Sequence, residues 1–285
     1  MLVVLTKNRP KAKRTVLMKG SPHRIISQEY VSVLIPKLRK VTHENRLRIA
    51  HQISARIVEK YGSDVLAVYV CGSTSKKLDR AYSDLELIVA VRDQVEIPMK
   101  YYLHRGLIIQ IEYFKASNIL DAAERLTDNW PWEADQYRNR IALYERDGWF
   151  RKLDEAVERN DKAATVEAVQ KSFMMMTESM AVMKNAILTN DMIGVLSRGR
   201  VLAEDAARIV LLLNRKYVTT TSWLWKIVFD LQNKPKEFKE LVEKMSGFVP
   251  TTPEEVVASS ERLYKEMSEL VTHAGVKIEC DNLWV

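Results

Sequence analysis

The spacing of hydrophobic and polar positions along the chain changes near Gly148. Before it, the apolar residues of His43–Tyr61 recur at the spacing of an amphipathic helix that ends at Gly62. Ser117 stands where the N-cap of a second helix is expected. Four short apolar stretches between and after these helices predict strands, at residues 64–72, 83–91, 106–114 and 141–147. This order predicts a small sheet that helices cover on one face.

After Gly148, long helical patterns dominate, and short connections containing Asn, Gly or Pro separate them. They predict helices at residues 150–159, 162–189, 191–214, 221–231, 235–246 and 253–272. Helices joined by short loops pack as antiparallel neighbours, which predicts an up-and-down bundle. The expected fold class is therefore α+β, a small mixed sheet flanked by helices and followed by an all-helical domain. The predicted boundaries are a basic extension at 1–41, a sheet domain at 42–148 and a helical domain at 149–285.

The positive charge of the chain is concentrated at its start. The net charge is +7, but residues 1–41 hold ten Lys or Arg and one acid, so the remainder is slightly acidic. A basic arm either contacts a polyanion such as nucleic acid or serves as a solubilising extension. The basic run at residues 4–18 contains no aromatic residue, which disfavours single-strand binding. We therefore expect the solubilising role, with nucleic-acid contact as the alternative.

Cysteine usage and hydropathy predict a soluble, cytoplasmic protein. Cys71 and Cys280 are far apart in sequence, a pattern that indicates neither a disulfide framework nor a zinc site. The apolar run at Met1–Leu5 is too short for a signal peptide. No stretch approaches the roughly 20 apolar residues that a membrane-spanning helix needs.

Two carboxylates interrupt a strand that is otherwise apolar. Asp84 and Glu86 are two positions apart, so both side chains leave the same face of that strand. By the same rule, Gln110 and Glu112 share one face of the next predicted strand. Alone, such acids are typical of a solvated surface, but Asp84, Glu86 and Glu112 together would converge and repel. A divalent cation removes that repulsion, and ligands that are all oxygen favour Mg²⁺.

A Gly-Ser turn at Gly72 and Ser73 precedes this acidic pair by twelve residues. Glycine lets the backbone approach a ligand closely, and the amides of both residues can face phosphate oxygens. Lys76 adds positive charge nearby, whereas Lys77 is more typical of a solvated turn. A phosphate cradle beside Mg²⁺ predicts a bound nucleoside triphosphate, with metal ions that orient the attacking hydroxyl and the leaving pyrophosphate.

The stretch GSTSKKLDRAYSDLE, residues 72–86, resembles the signature of the polymerase-β-like nucleotidyltransferase superfamily. Within it, most of residues 43–285, including DNWPW and RKYVTTTS, resemble the kanamycin (aminoglycoside) nucleotidyltransferases. The resemblance implies transfer of AMP from ATP to a hydroxyl of an aminoglycoside-like small molecule by a homodimer. It also assigns roles: two Mg²⁺ held by Asp84, Glu86 and Glu112, the triphosphate contacted by Ser73 and Lys76, and Thr221 near the nucleotide.

The same resemblance implies catalytic groups on a helix of the second domain. Lys184 matches the family's helical lysine, but Met180 occupies the position of its catalytic base. Glu178 is the nearest acid, although two residues correspond to about 200° around a helix. We expect Lys184 to stabilise charge, and Glu178 to be either the base or an ordinary surface acid. The neighbouring methionines are typical of helical core packing.

Two other functions remain open. A nucleotidyltransferase that modifies a protein, as in toxin–antitoxin pairs, is disfavoured by the long helical second domain. A non-catalytic nucleotide sensor or nucleic-acid-binding module would bind nucleotide without turnover. The intact acids disfavour this second alternative, whereas the missing helical base favours it.

Overall fold

A computed structural model describes residues 37–278. The predicted basic extension at 1–41 therefore lies largely outside the described residues, as does Cys280. The chain divides into two units after Lys37, and all the elements below belong to the second unit. Among them, no helix combines the length and the apolar character that crossing a bilayer requires.

The described residues contain five strands and ten α-helices, numbered here in chain order. The strands are β1 (Val65–Val70), β2 (Leu85–Val91), β3 (Lys100–His104), β4 (Leu107–Lys115) and β5 (Ile141–Glu145). The helices are α1 (His43–Tyr61), α2 (Gly72–Ser75), α3 (Ala116–Glu124), α4 (Trp130–Arg138), α5 (Trp149–Lys162), α6 (Val166–Leu188), α7 (Met192–Leu213), α8 (Leu224–Asp230), α9 (Phe238–Met245) and α10 (Pro253–His273). The predicted α+β class is confirmed, and α1 has the predicted limits.

The five strands form one mixed sheet in the order β3-β4-β2-β1-β5. Strand β2 runs parallel to β4, and the other neighbouring pairs are antiparallel. In the parallel pair, Glu86 lies opposite Gln110 and Ile88 lies opposite Glu112. Because side chains alternate between faces, Glu86 and Glu112 leave the same face of adjacent strands, as predicted.

Helices cover both faces of the sheet, so the prediction of one covered face is wrong. On one face, Ala50 and Ile57 of α1 pack in a core with Leu87 of β2. On the other face, Trp149 of α5 packs in a core with Tyr69 of β1. The physical reason is that consecutive residues of Ala67–Val70 in β1 and of Leu87–Val91 in β2 are apolar and buried, so these parts of the sheet have no solvated face.

Two local predictions need correction. Strand β3 was not predicted; it is an exposed edge strand, and it joins β4 through a two-residue turn in which Arg105 and Gly106 both have positive φ. Ser117 is not the N-cap of α3, because the helix begins one residue earlier, at Ala116. The Ser117 amide instead donates to Asp93 Oδ1 at 3.0 Å.

Helices α6, α7 and α10 form the centre of the helical region and share its largest core. Met176, Met180 and Met183 are buried in that core, which confirms the core packing predicted for these three methionines. The same prediction is wrong for Met174, which is 50% exposed. Helix α5 lies before this bundle and packs on the sheet instead. The domain boundary between residues 148 and 149 stays a prediction.

Candidate active site

A cavity of about 480 Å³ opens between one end of the sheet and the helical region. Its walls come from the turn after β1, the start of β2, helix α4 and the segment 218–223. Five residues predicted from sequence line it, namely Gly72, Ser73, Asp84, Glu86 and Thr221. The tertiary structure therefore brings together candidate residues that are up to 149 positions apart.

The Gly-Ser turn is short and tightly held. Gly72 has a φ of +66°, in the left-handed region that favours glycine. A Cβ atom at this position would lie 1.7 Å from Glu86 Oε2, so a side chain would collide with the carboxylate. The Ser75 hydroxyl lies 2.9 Å from the Gly72 carbonyl oxygen and 2.7 Å from the Asn139 carbonyl oxygen. Gly72 therefore allows the close approach of backbone and carboxylate.

The three predicted metal-binding acids affect one another electrostatically. Asp84 directly precedes β2, Glu86 lies within it, and Glu112 lies on the neighbouring β4. Burial is the largest of the causes that raise the pKa of Glu86 to about 7, and the negative charges of Asp84 and Glu112 act in the same direction. A divalent cation would relieve this repulsion, so the donor set fits Mg²⁺ in charge and in ligand type.

The side chains of these acids do not form a closed cluster. Within residues 37–278, no group of three or more His, Cys, Asp or Glu side chains is arranged to hold a metal ion. The assignment of Asp84, Glu86 and Glu112 as metal ligands stays a prediction. It depends on their shared face and mutual repulsion.

Glu112 lines a second cavity, of about 440 Å³, which adjoins the first. Glu133 and Gln136 of α4 line both cavities. The second cavity also has aromatic and amide side chains in its wall, among them Tyr137 and Asn118. Burial raises the pKa of Glu133, and the charge of Asp128 adds to this effect. The two cavities thus share a wall that carries a carboxylate and an amide.

Lys76 forms an ion pair with Asp135 of α4 and also donates to the Gly72 carbonyl oxygen. The side chains of Lys76 and Asp135 are 10% and 9% exposed. Asp135 also accepts a hydrogen bond from Asn139 Nδ2 at 2.8 Å. Lys76 is therefore committed to neighbouring protein groups and does not line the described part of the cavity.

The two candidate residues on α6 lie apart from the other site residues. Glu178 and Lys184 are exposed, and neither lines the first or the second cavity. Met180, at the position expected for a base, is buried in the helical core. The structure therefore does not bring these α6 residues together with the carboxylates within one copy of the chain.

Residues 147–277 match the family described as the KNTase C-terminal domain. The aminoglycoside nucleotidyltransferases (4′) of Staphylococcus aureus and of a Bacillus species are each 29% identical to the chain over 114 residues. That match covers 40% of this chain and 45% of each relative, so the chain spans less than half the length of these curated relatives. The crystal structure of a nucleotidyltransferase-like protein from Exiguobacterium sibiricum has the same fold, with a TM-score of 0.50 and 14% identity over 78% of this chain and 74% of that one. Together these similarities support the nucleotidyltransferase superfamily.

The structure adds site residues that sequence reasoning missed. Arg80 lines the first cavity, and so do Glu133, Asp135 and Gln136 of α4. Pro131 near the start of α4 is a helix-start signal that marks this element in the sequence. Nothing local to residues 130–138, however, indicates that the helix would pack against the Gly-Ser turn.

Proposed function

We propose that this chain is a Mg²⁺-dependent enzyme that transfers AMP from ATP to a hydroxyl of a small, aminoglycoside-like acceptor. The observation that carries the proposal is the cavity on which Gly72, Ser73, Asp84, Glu86 and Thr221 converge. The names of the two curated relatives support the acceptor class. The fit of three mutually repelling carboxylates to a divalent cation supports the metal requirement.

In this proposal, each group has a separate task. The amides of Gly72 and Ser73 bind phosphate oxygens of the triphosphate. Asp84, Glu86 and Glu112 would hold Mg²⁺, which when bound would neutralise phosphate charge and lower the pKa of the acceptor hydroxyl. The acceptor would occupy the adjoining cavity, whose wall includes Glu112. The acceptor oxygen attacks the α-phosphorus, the bond from that phosphorus to the bridging oxygen of pyrophosphate breaks, and the hydroxyl proton is released to solvent water.

The proposal includes a homodimer. Glu178 and Lys184 are exposed on α6 and lie outside both cavities of one described copy. If they act on the reaction, a second copy must supply them. A symmetric dimer that places α6 of one copy at the cavity of the other satisfies this requirement. Lys184 would then stabilise the charge that develops in the transition state.

The proposal is tested with ATP labelled at the α-phosphate, Mg²⁺ and a panel of aminoglycosides, lincosamides and nucleosides. We expect label on at least one acceptor, and none with Asp84→Asn or Glu112→Gln. Asp121→Asn is the matched control, because Asp121 is 66% exposed and pairs only with Arg125 among the described residues. Transfer that persists in Asp84→Asn would rule out this site.

Two other results would favour the alternative functions. ATP binding without transfer to any acceptor would indicate a nucleotide sensor. Label that appears on a protein from a lysate, and on no small molecule, would indicate a protein-modifying enzyme.

A further inference from the structure

The first cavity has an unbalanced charge. Its described lining contains four carboxylates, those of Asp84, Glu86, Glu133 and Asp135. Arg80 is the one Lys or Arg side chain among the described residues that line it. A triphosphate carries several negative charges, and a cavity with this lining needs a cationic side chain as well as metal ions to hold it.

Lys76 is poorly suited to that task in this structure. Its ammonium group is paired with the Asp135 carboxylate and also donates to the Gly72 carbonyl oxygen. Both members of the pair are nearly buried. Moving Lys76 to a phosphate would leave the nearly buried Asp135 carboxylate without its cationic partner, which is unfavourable.

Arg80, by contrast, has a fixed backbone and a free side chain. The Arg80 carbonyl oxygen accepts from Arg46 Nη2 at 2.7 Å and from the Ser83 amide at 3.0 Å. Its own amide donates to Ser83 Oγ at 2.9 Å. The Arg80 side chain is exposed, and its guanidinium has no hydrogen-bond or ion-pair partner among residues 37–278.

Arg46 of α1 holds the loop at residues 76–83 in place through hydrogen bonds. Its side chain is 1% exposed and donates to the carbonyl oxygens of Arg80, Ala81 and Ser83. Arg46 Nη1 also pairs with Asp79 Oδ2 at 2.8 Å, and the Asp79 side chain is 1% exposed. A cationic side chain on a loop held in this way loses little backbone entropy when a ligand binds.

We infer that Arg80, rather than Lys76, is the side chain that binds the triphosphate of the nucleotide, an assignment that rests on the proposed function. Its guanidinium presents paired N–H donors that match two phosphate oxygens. Lys76 has a different role in this assignment. Its pair with Asp135 holds the Gly-Ser turn against α4.

The test measures dissociation constants by calorimetry for ATP with Mg²⁺, for inorganic tripolyphosphate with Mg²⁺, and for adenosine. Arg80→Ala should weaken binding of ATP and of tripolyphosphate about tenfold or more and leave adenosine binding unchanged. Arg80→Lys should recover part of the loss, because lysine keeps the charge but not the paired donors. Lys77→Gln is the matched control, since Lys77 is an exposed cation of the same loop that does not line the cavity, and it should bind ATP like the wild type.

The comparison with Lys76 makes the assignment specific. Lys76→Met should lower the melting temperature, because the Asp135 carboxylate loses its cationic partner. Arg80→Ala should leave the melting temperature unchanged, because the Arg80 side chain has no such partner within the described part of the chain. The double variant Lys76→Met with Asp135→Leu replaces the ion pair with two apolar side chains, and it should lose less tripolyphosphate affinity than Arg80→Ala. Tripolyphosphate binding that is lost in this folded double variant and kept in Arg80→Ala would overturn the inference.

The outcomes separate this inference from the proposed function. A loss of ATP affinity in Arg80→Ala, with no transfer to any acceptor by the wild type, supports the inference and contradicts the proposed enzyme activity. AMP transfer by the wild type, with equal ATP affinity in Arg80→Ala, contradicts the inference alone. A wild-type protein that binds neither ATP nor tripolyphosphate contradicts both.

Discussion

The Glu86 carboxylate lies so close to Gly72 that a Cβ atom at position 72 would fall 1.7 Å from Glu86 Oε2. The two residues are brought together by the pairing of β1 with β2, in which the Cys71 amide donates to the Glu86 carbonyl oxygen at 3.1 Å. The Gly-Ser turn and the acidic strand are therefore one structural unit. A change at the turn displaces a carboxylate of the site.

We expect Gly72→Ala to abolish most nucleotidyl transfer while the protein stays folded. The positive φ at Gly72 should cost about 1–2 kcal/mol of unfolding free energy with any L side chain. The added methyl group must also push the Glu86 carboxylate away from its position. Urea denaturation measures the first effect, and the labelled transfer assay measures the second.

Gly148→Ala is the matched control for this change. Gly148 has a φ of +63°, but no atom lies within 4 Å of a Cβ built there. It should lose a similar amount of stability and keep its activity. Equal activity in the two variants would show that the contact between Gly72 and Glu86 has no role in the reaction.

The ion pair between Arg46 and Asp79 should be essential for stability. Arg46→Met removes the guanidinium from the Asp79 carboxylate, which is 1% exposed and keeps only the contact with His43 Nδ1 at 2.8 Å. We expect a loss of about 3–5 kcal/mol in unfolding free energy. Adding Asp79→Leu should recover part of that loss, because it removes the buried carboxylate that has lost its guanidinium partner. Urea denaturation measures the unfolding free energy of the wild type, of Arg46→Met and of the double variant.

Arg48→Met provides the comparison on the same helix. Arg48 is exposed and donates only to Asn45 Oδ1 among the described residues, at 3.2 Å. Its loss should change the unfolding free energy by no more than about 0.5 kcal/mol. A similar effect of both arginine variants would contradict the role given to the buried ion pair.

The stability of the helical region should depend on pH through Asp205. This residue is 6% exposed, and burial raises the pKa of its carboxyl above the ordinary 3.8, although a hydrogen bond from Ser179 Oγ at 2.7 Å opposes the shift. Between the ordinary and the raised pKa, the native state binds more protons than the unfolded state. The unfolding free energy therefore falls as pH rises through this window.

Asp205→Asn removes this titration. The difference in unfolding free energy between wild type and variant should thus change between about pH 4 and the raised pKa, in the direction of a less stable wild type at higher pH. Urea denaturation at a series of pH values measures it. A difference that stays constant with pH would show that Asp205 titrates normally in the folded protein.

The proposed dimer predicts complementation between inactive variants. Asp84→Asn and Lys184→Ala should each have little activity, because each lacks a group needed at every site. Mixed dimers formed by refolding the two together contain one site with both groups intact. Random pairing should therefore restore about a quarter of wild-type transfer.

The labelled transfer assay on the refolded mixture measures this recovery. An unmixed refolding of each variant alone is the control. No recovery, in a mixture that sedimentation shows to contain dimers, would place Lys184 outside the site or within the same copy as Asp84.

Much of the candidate site was predictable from the sequence because its geometry is local. The alternation of side chains along a strand placed Glu86 and Glu112 on their correct faces, and the pairing of β2 with β4 confirmed it. The helical spacing of His43–Tyr61 likewise predicted α1 with its observed limits. These features depend on backbone periodicity within a few residues, which any sequence displays directly.

Contacts between distant segments could be decided only by the tertiary structure. Lys76 and Asp135 are 59 residues apart, and no local pattern shows that α4 packs beside the Gly-Ser turn. Similarly, only packing places Arg80 in the wall of the cavity, and Glu178 and Lys184 outside it. The periodicity of a segment determines which of its faces is apolar, but the segment that covers that face is chosen by the packing of the whole chain.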